Sequence, residues 1–121
     1  MPNKKTLVLG ASDNPSRYSY LAINALQSKG HDVVAIGKRP GMVGKVKIET
    51  TAKDIDNIDT VTLYLNPSHQ KQYYDYILSL HPKRIIFNPG AENVELFKMA
   101  KESNILPKDA CTLVLLSTGQ Y

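Results

Sequence analysis

Four short apolar runs recur along the chain. They consist of aliphatic and β-branched residues without alternating polar positions, and they start 24 to 28 residues apart: Thr6–Leu9, Val33–Ile36, Val61–Leu65 and Ile85–Phe87. A run without alternation is typical of a parallel strand that is buried on both faces. Because the spacing leaves room for one strand and one crossover helix per unit, the runs predict repeated β-α-β units.

Helical periodicity fills three of the intervals. The predicted helices are Arg17–Lys29, Pro67–Leu80 and Glu92–Ser103. The first is followed by Gly30, at the position where glycine often ends a helix, and the second has Asn66 as its cap and Pro67 at its first position. The third carries acidic residues early and basic residues late, which suits the helix dipole. The stripe predicted to face inward from the first helix is Leu21, Ala22, Ala25 and Leu26.

The last stretch, ILPKDACTLVLLSTGQY, is apolar without a clear period. We expect a fifth strand in it. Either CTLVLL is that strand, or a strand at Ile105 and Leu106 precedes a terminal helix. Together the elements predict an α/β fold, a three-layer αβα, doubly wound sheet of about five mainly parallel strands. With 121 residues and 42% hydrophobic residues, the chain is expected to form one domain over residues 1–121.

Ligands of doubly wound sheets bind where the strands end, at the switch point of the strand order. After the first run, Gly10 allows a tight turn, and Ala11 and Ser12 are small enough for a ligand to approach. Ser12, Ser16 and Arg17 supply phosphate donors beside a helix N-terminus. The glycines of G-x-G-x-x-G and of G-x-x-x-x-G-K-[ST] are absent, so the segment GASDNPSR is either a diphosphate site or an ordinary connection.

The charges after the second run narrow the choice of ligand. An NAD site would carry an acidic residue there, whereas Gly37 is followed by Lys38, Arg39 and Pro40, and Asp32 precedes the strand at the opposite edge. Two cations favour a nucleotide with an extra ribose phosphate, as in CoA or NADP. A solvated surface turn is the alternative. The other candidate residues at this edge of the sheet are Asn66, Pro67, Asn88 and Gly90.

The sequence contains few residues in an arrangement that would support catalysis. The three histidines do not stand at metal-ligand or triad spacing, and we expect His31 and His81 at the surface, whereas His69 lies in a first helical turn at the ligand edge. The single cysteine, Cys111, excludes an internal disulfide and is expected to be buried. No catalytic residue and no metal ligand are predicted, so a binding module is favoured over an enzyme.

The bulk properties restrict the partners. The formal net charge of +4 comes without a dense basic run, which disfavours nucleic acid. The apolar stretch near the N-terminus, Leu7–Leu9, is too short for a signal peptide or a membrane span, so a cytoplasmic protein is expected.

With these segments placed, the sequence resembles the small stand-alone CoA-binding proteins. These are Rossmann-like domains similar to the N-terminal domain of the succinyl-CoA synthetase alpha subunit. GASDNPSRYS, DVVAI with KRPGMVGKV, KDIDNIDTVTLYLNP and PGAEN carry the resemblance, which covers nearly the whole chain. It implies that the loops after the first three strands line a CoA nucleotide site. The residues concerned are Gly10, Ala11, Ser12, Ser16, Arg17, Lys38, Arg39, Pro40, Asn66 and Pro67.

Three functions follow as hypotheses. The first is a module that binds CoA or acyl-CoA without catalytic machinery of its own, either alone, as a homodimer or beside a separate catalytic partner. The second is an NADP-binding oxidoreductase or redox sensor. The third is a non-binding, homo-oligomeric interaction domain built on the apolar segment Leu113–Leu116.

Overall fold

One sheet of seven strands runs through the computed structural model, which describes residues 2–121. The strands are β1 (Thr6–Leu9), β2 (Val33–Ile36), β3 (Gly41–Val43), β4 (Val46–Glu49), β5 (Thr60–Leu63), β6 (Arg84–Phe87) and β7 (Leu106–Asp109). Their order is β3-β4-β2-β1-β5-β6-β7, and every neighbouring pair is parallel except β3 and β4. The helices are α1 (Tyr18–Ser28), α2 (Pro67–Gln70), α3 (Tyr74–Ser79), α4 (Val94–Glu102) and α5 (Thr112–Ser117).

The central strand β1 is covered on both faces. Leu7 and Leu9 belong to the core beneath α3 and α4, whereas Val8 belongs to the core beneath α1 and α5, and none of the three is exposed. Since successive side chains of a strand point to opposite faces, this division places helices on both sides of the sheet. The α/β class and its three-layer, doubly wound arrangement are therefore confirmed.

The strand count is larger than predicted. The additional strands β3 and β4 form an antiparallel hairpin whose turn contains Gly44, at a φ of +59°. They are three and four residues long, and Met42 and Lys47 are exposed, so the hairpin has no long apolar run. The hairpin brings β4 beside β2 and extends the parallel part of the sheet.

The helical predictions hold with two corrections. Pro67–Leu80 is not one helix, because a 3-10 turn at Lys71–Tyr73 separates α2 from α3. In α1 the buried stripe contains Ile23 instead of Leu21, which is 43% exposed. Of the two readings of the last stretch, the strand followed by a helix is correct, since β7 starts at Leu106 and CTLVLL overlaps α5.

A cluster of polar and aromatic side chains closes the amino edge of the sheet. His31, expected at the surface, is 4% exposed, and its Nδ1 accepts a hydrogen bond from the backbone amide of Lys4 at 2.9 Å. Its ring meets the edge of the Tyr121 ring, which lies 4.2 Å from the Arg84 guanidinium and whose hydroxyl is hydrogen-bonded to Thr6. The prediction was wrong because the turn after Gly30 folds back under Tyr121. We call His31, Lys4, Tyr121, Arg84 and Thr6 the amino-edge cluster.

Candidate functional site

The switch point of the sheet lies at the carboxyl end of β1. The amides of Gly10 and Ala11 both donate to the carbonyl of Ile36, each at 3.0 Å, so the chain bends toward β2. On the other side, the amide of Tyr64 donates to the carbonyl of Leu9 at 2.8 Å, which continues the pairing of β5 with β1. A crevice at this point is where ligands bind in doubly wound sheets.

The segment from Gly10 to Arg17 is held by its own hydrogen bonds. Gly10 has a φ of +89°, and a Cβ there would lie 2.7 Å from the carbonyl oxygen of Tyr64, so only glycine fits. Asn14 Oδ1 accepts from the amide of Ser16 at 3.0 Å and from its hydroxyl at 2.8 Å. Ser12 Oγ in turn accepts from the amide of Asn14 at 3.1 Å. The turn is therefore preformed.

This turn leads into a helix N-terminus without a side-chain cap. Arg17, the N-cap residue of α1, is exposed and extended, and its side chain makes no capping hydrogen bond. No acidic residue stands in the first turn of α1. The first amides of a helix carry partial positive charge, so this end of α1 can accept an anion.

The loop after β2 interlocks with the turn after β1. A Cβ on Gly37 would overlap the carbonyl oxygen of Ala11, and a Cβ on Gly41 would lie 2.6 Å from Asp13 Oδ2. The residues between these two contacts are exposed: Lys38, Arg39 and Pro40. The sequence-predicted residues of the first two loops are thus brought together at one edge of the sheet.

Neither cation of this loop is engaged by an acid. Within residues 2–121, ion pairs join Lys53 to Glu49 at 3.5 Å and Lys83 to Asp59 at 3.9 Å. The charges of Lys38 and Arg39 therefore remain available to an anionic ligand.

After β5, Asn66 acts as the cap of a short helix. Its Oδ1 accepts from the amide of His69 at 3.1 Å and from the hydroxyl of Ser68 at 2.7 Å, and Pro67 takes the first helical position. These residues lie exposed at the same edge as the first two loops. Their contact with a ligand stays a prediction.

After β6, Asn88 is tied into the scaffold. It is 2% exposed, its Nδ2 donates to Thr62 Oγ1 at 2.7 Å and to the carbonyl of Leu63 at 2.9 Å, and its Oδ1 accepts from the amide of Thr112 at 2.9 Å. The side chain thereby joins β5, β6 and α5. A ligand contact at Asn88 remains untested, and these bonds give the residue a supporting role.

Gly90 follows Asn88 at the same corner. It is exposed with a φ of +93°, and its amide donates to Glu92 Oε1 at 2.8 Å. The carboxylate of Glu92 therefore stands where an anionic ligand of this amide would have to bind.

Two residues at this edge carry features that sequence reasoning missed or misplaced. The hydroxyl of Tyr64 is buried close to Thr112 and Thr62, and burial raises the pKa of this group well above its usual value. Its position near the end of the apolar run Val61–Leu65 was the available signal. Cys111 is half-buried instead of buried and is the N-cap residue of α5.

The side chains that could hold a metal ion lie apart from one another in residues 2–121. No three His, Cys, Asp or Glu side chains in that range stand close enough to hold a metal ion. His69 and His81 are both exposed, the latter as predicted. None of the helices in the same range is long and apolar enough to cross a membrane.

Two shallow surface grooves lie away from this edge. One is at the amino edge and includes Lys5, Asp59 and Lys83. The other runs between α1 and α5 along Ala25 and Val114. The hypothesis of an interaction domain concerns the second groove, and it stays a prediction.

A family model described as a CoA binding domain matches residues 4–117, which is nearly the whole chain. The chain belongs to this CoA-binding family. Membership confirms the resemblance that GASDNPSRYS and the segments after it indicated, and it implies a small-molecule nucleotide ligand at the level of the family.

Two solved structures share this fold, and one further protein is similar in sequence. A crystal structure of an uncharacterized protein is 48% identical, with a TM-score of 0.97 and full coverage of both chains. A hypothetical protein from Pyrococcus horikoshii OT3 is 24% identical, with a TM-score of 0.86 over 96% of this chain and 83% of that one. The uncharacterized protein YneT of Bacillus subtilis (strain 168) is 26% identical over 101 residues, which are 83% of this chain and 75% of YneT.

Proposed function

We propose that this CoA-binding domain binds CoA or acyl-CoA through the nucleotide half of the ligand and acts as a binding module. The observation that carries the proposal is the interlock of the two loops, in which Gly37 lies directly against the carbonyl of Ala11. It joins an uncapped helix N-terminus and two unpaired cations in one surface. These are the groups that a nucleotide with several phosphates requires.

The diphosphate is assigned to the turn between Gly10 and the start of α1. Here the backbone bends tightly, and the side chains of Ala11 and Ser12 are small enough for a phosphate to approach the backbone. Arg17 adds a positive charge. The Ser16 hydroxyl donates to Asn14 Oδ1 at 2.8 Å, so it would have to leave this acceptor in order to donate to a phosphate oxygen.

The ribose phosphate is assigned to Lys38 and Arg39. Both side chains are exposed at the carboxyl end of β2, next to the turn that would hold the diphosphate. The assignment is independent of the thiol end of the ligand, so free and acylated CoA are expected to bind with similar affinity.

The first experiment is titration calorimetry with CoA, dephospho-CoA, NADP and NAD on the wild type and on Lys38→Ala and Arg39→Ala. CoA should bind more tightly than the other three, and each substitution should weaken CoA about tenfold while changing dephospho-CoA little. Arg17→Ala should weaken CoA and dephospho-CoA alike, because both carry the diphosphate.

Lys45→Ala is the matched control. Lys45 is exposed in the turn of the β3–β4 hairpin, at the edge of the sheet opposite Lys38 and Arg39. Its substitution should leave all four affinities unchanged. Equal losses of CoA and dephospho-CoA in Lys38→Ala and Arg39→Ala would refute the assignment of the ribose phosphate. Absence of CoA binding to the wild type at millimolar concentration would refute the function.

A further inference from the structure

We infer that Asp13 recognises the ribose of the ligand by accepting a hydrogen bond from the free hydroxyl beside the ribose phosphate. The inference rests on the proposed function and adds to it a residue that sets specificity. The chemistry recognised is a ribose with one phosphate and one neighbouring hydroxyl, with the phosphate on the 3′-oxygen and the hydroxyl at 2′.

The argument starts from how residues 38–40 are anchored. The chain touches the first loop at Gly37, against Ala11, and again at Gly41, against the Asp13 carboxylate. Residues 38–40 therefore form an arch that rests on a backbone contact at Gly37 and on a side-chain contact at Gly41. Asp13 lies at one foot of this arch, and Lys38 and Arg39 stand on it.

All three charged side chains of this arrangement are uncommitted. Lys38 and Arg39 take part in neither of the two ion pairs of the described chain. The Asp13 carboxylate accepts no hydrogen bond and forms no ion pair within residues 2–121, although it lies against Gly41. Most polar side chains of this loop, such as Asn14, form hydrogen bonds within the loop. The Asp13 carboxylate forms none, so it can accept a hydrogen bond from a ligand.

A carboxylate beside two cations can bind a ribose that carries one phosphate and one free hydroxyl. The cations suit a phosphate, and a carboxylate is an acceptor only, so it pairs with a hydroxyl and repels a second phosphate. Other doubly wound domains hold ribose hydroxyls with an acid at the end of the second strand. Here that place holds Lys38 and Arg39, and the acid comes from the loop after the first strand.

The test compares CoA with 2′-deoxy-CoA by calorimetry in the wild type and in Asp13→Ala. The wild type should bind CoA about tenfold more tightly than the deoxy ligand, and Asp13→Ala should bind the two equally. Since both ligands carry the same phosphates, any general loosening of the arch or change in repulsion affects them alike. Asp13→Asn, which keeps an acceptor oxygen, should restore part of the preference.

Asp32→Ala is the control, since Asp32 stands before β2 at the opposite edge of the sheet, and it should keep the wild-type ratio. The isomer of CoA with its phosphate on the 2′-oxygen should bind the wild type more weakly than CoA. The inference is overturned if the ratio of CoA to deoxy ligand is the same in the wild type and Asp13→Ala, or if the isomer binds as well as CoA. Those results would leave CoA binding itself intact, whereas a wild type that binds no CoA contradicts the proposed function.

Discussion

Gly37 determines the geometry of the candidate site more directly than any charged residue around it. Its Cα stands so close to Ala11 that no side chain fits between them, and the obstacle is backbone, which has little freedom to move. Its own amide donates to the carbonyl of Glu49 at 2.9 Å, so β4 holds it from the other side. The distance between the loops after β1 and β2 is therefore set by the absence of a Cβ at Gly37.

Gly37→Ala should lower the free energy of unfolding by about 1–3 kcal/mol, because the added methyl forces two backbone segments apart. Denaturant titration measures this change. Gly41→Ala is the comparison, since its methyl would meet the Asp13 side chain, which can rotate away, and a loss under about 1 kcal/mol is expected. Equal, small losses at both positions would show that the two loops are not tightly interlocked.

At the scale of elements, the β3–β4 hairpin is attached to the fold through Gln27 of α1. Gln27 Nε2 donates to the carbonyl of Val43 at 3.0 Å, and Oε1 accepts from the amide of Lys45 at 3.1 Å. A Cβ on Gly44 would lie 2.7 Å from Nε2 of the Gln27 side chain. One side chain thus fixes both the turn and its distance from the helix.

Gln27→Ala should lower the free energy of unfolding by about 1–2 kcal/mol, since it removes three hydrogen bonds to backbone groups, two of them to the hairpin. Hydrogen exchange should show faster exchange of the Lys45 amide, with the central strands unchanged. Gln72→Ala, at an exposed side chain with a single 3.3 Å bond, should change neither quantity. Unchanged exchange at Lys45 in Gln27→Ala would contradict the proposed attachment.

The elements also show what could be read from the sequence. β1, β2, β5 and β6 were predictable because an apolar or β-branched run marks each of them, and most of their residues are buried. The hairpin was not, because Met42 and Lys47 face solvent and part of its attachment comes from Gln27, which lies in α1. In the same way, the order of the loops along the edge was predictable from topology, whereas the Gly37–Ala11 contact depends on three-dimensional packing.

For the molecule as a whole, stability should depend on pH through the amino-edge cluster. Burial lowers the pKa of His31 from its usual 6.5, with Lys4 and then Arg84 adding repulsion, while the Asp59 carboxylate acts in the opposite direction. The unfolded chain therefore takes up a proton at a pH where the folded chain resists it. The resulting stability is complete above about pH 6.5 and is lost as the pH falls below it.

Thermal unfolding from pH 8 to pH 5 should show this loss in the wild type and a flatter profile in His31→Gln, whose amide oxygen can accept from Lys4. His69→Gln, at an exposed side chain, should follow the wild type. A His31→Gln profile as steep as that of the wild type would assign the pH dependence to other groups.

The two edges of the sheet hold different kinds of residue. At the carboxyl edge, exposed groups such as Lys38 and Arg39 are free of ion pairs to acids of the described chain, whereas at the amino edge Arg84 and Tyr121 are buried against each other. The residues of the carboxyl edge were visible in the sequence because they directly follow the predicted strands. The residues of the amino edge were not, since nothing local marks His31 or Tyr121 as partners.

The Tyr121 side chain bridges two strands that do not pair with each other. Its hydroxyl is hydrogen-bonded to Thr6 of β1, and its ring covers the Arg84 guanidinium of β6. Since β5 lies between these two strands, one aromatic side chain ties three adjacent strands together at their amino ends. The loss of this ring would therefore loosen the edge of the sheet that lies opposite the candidate site.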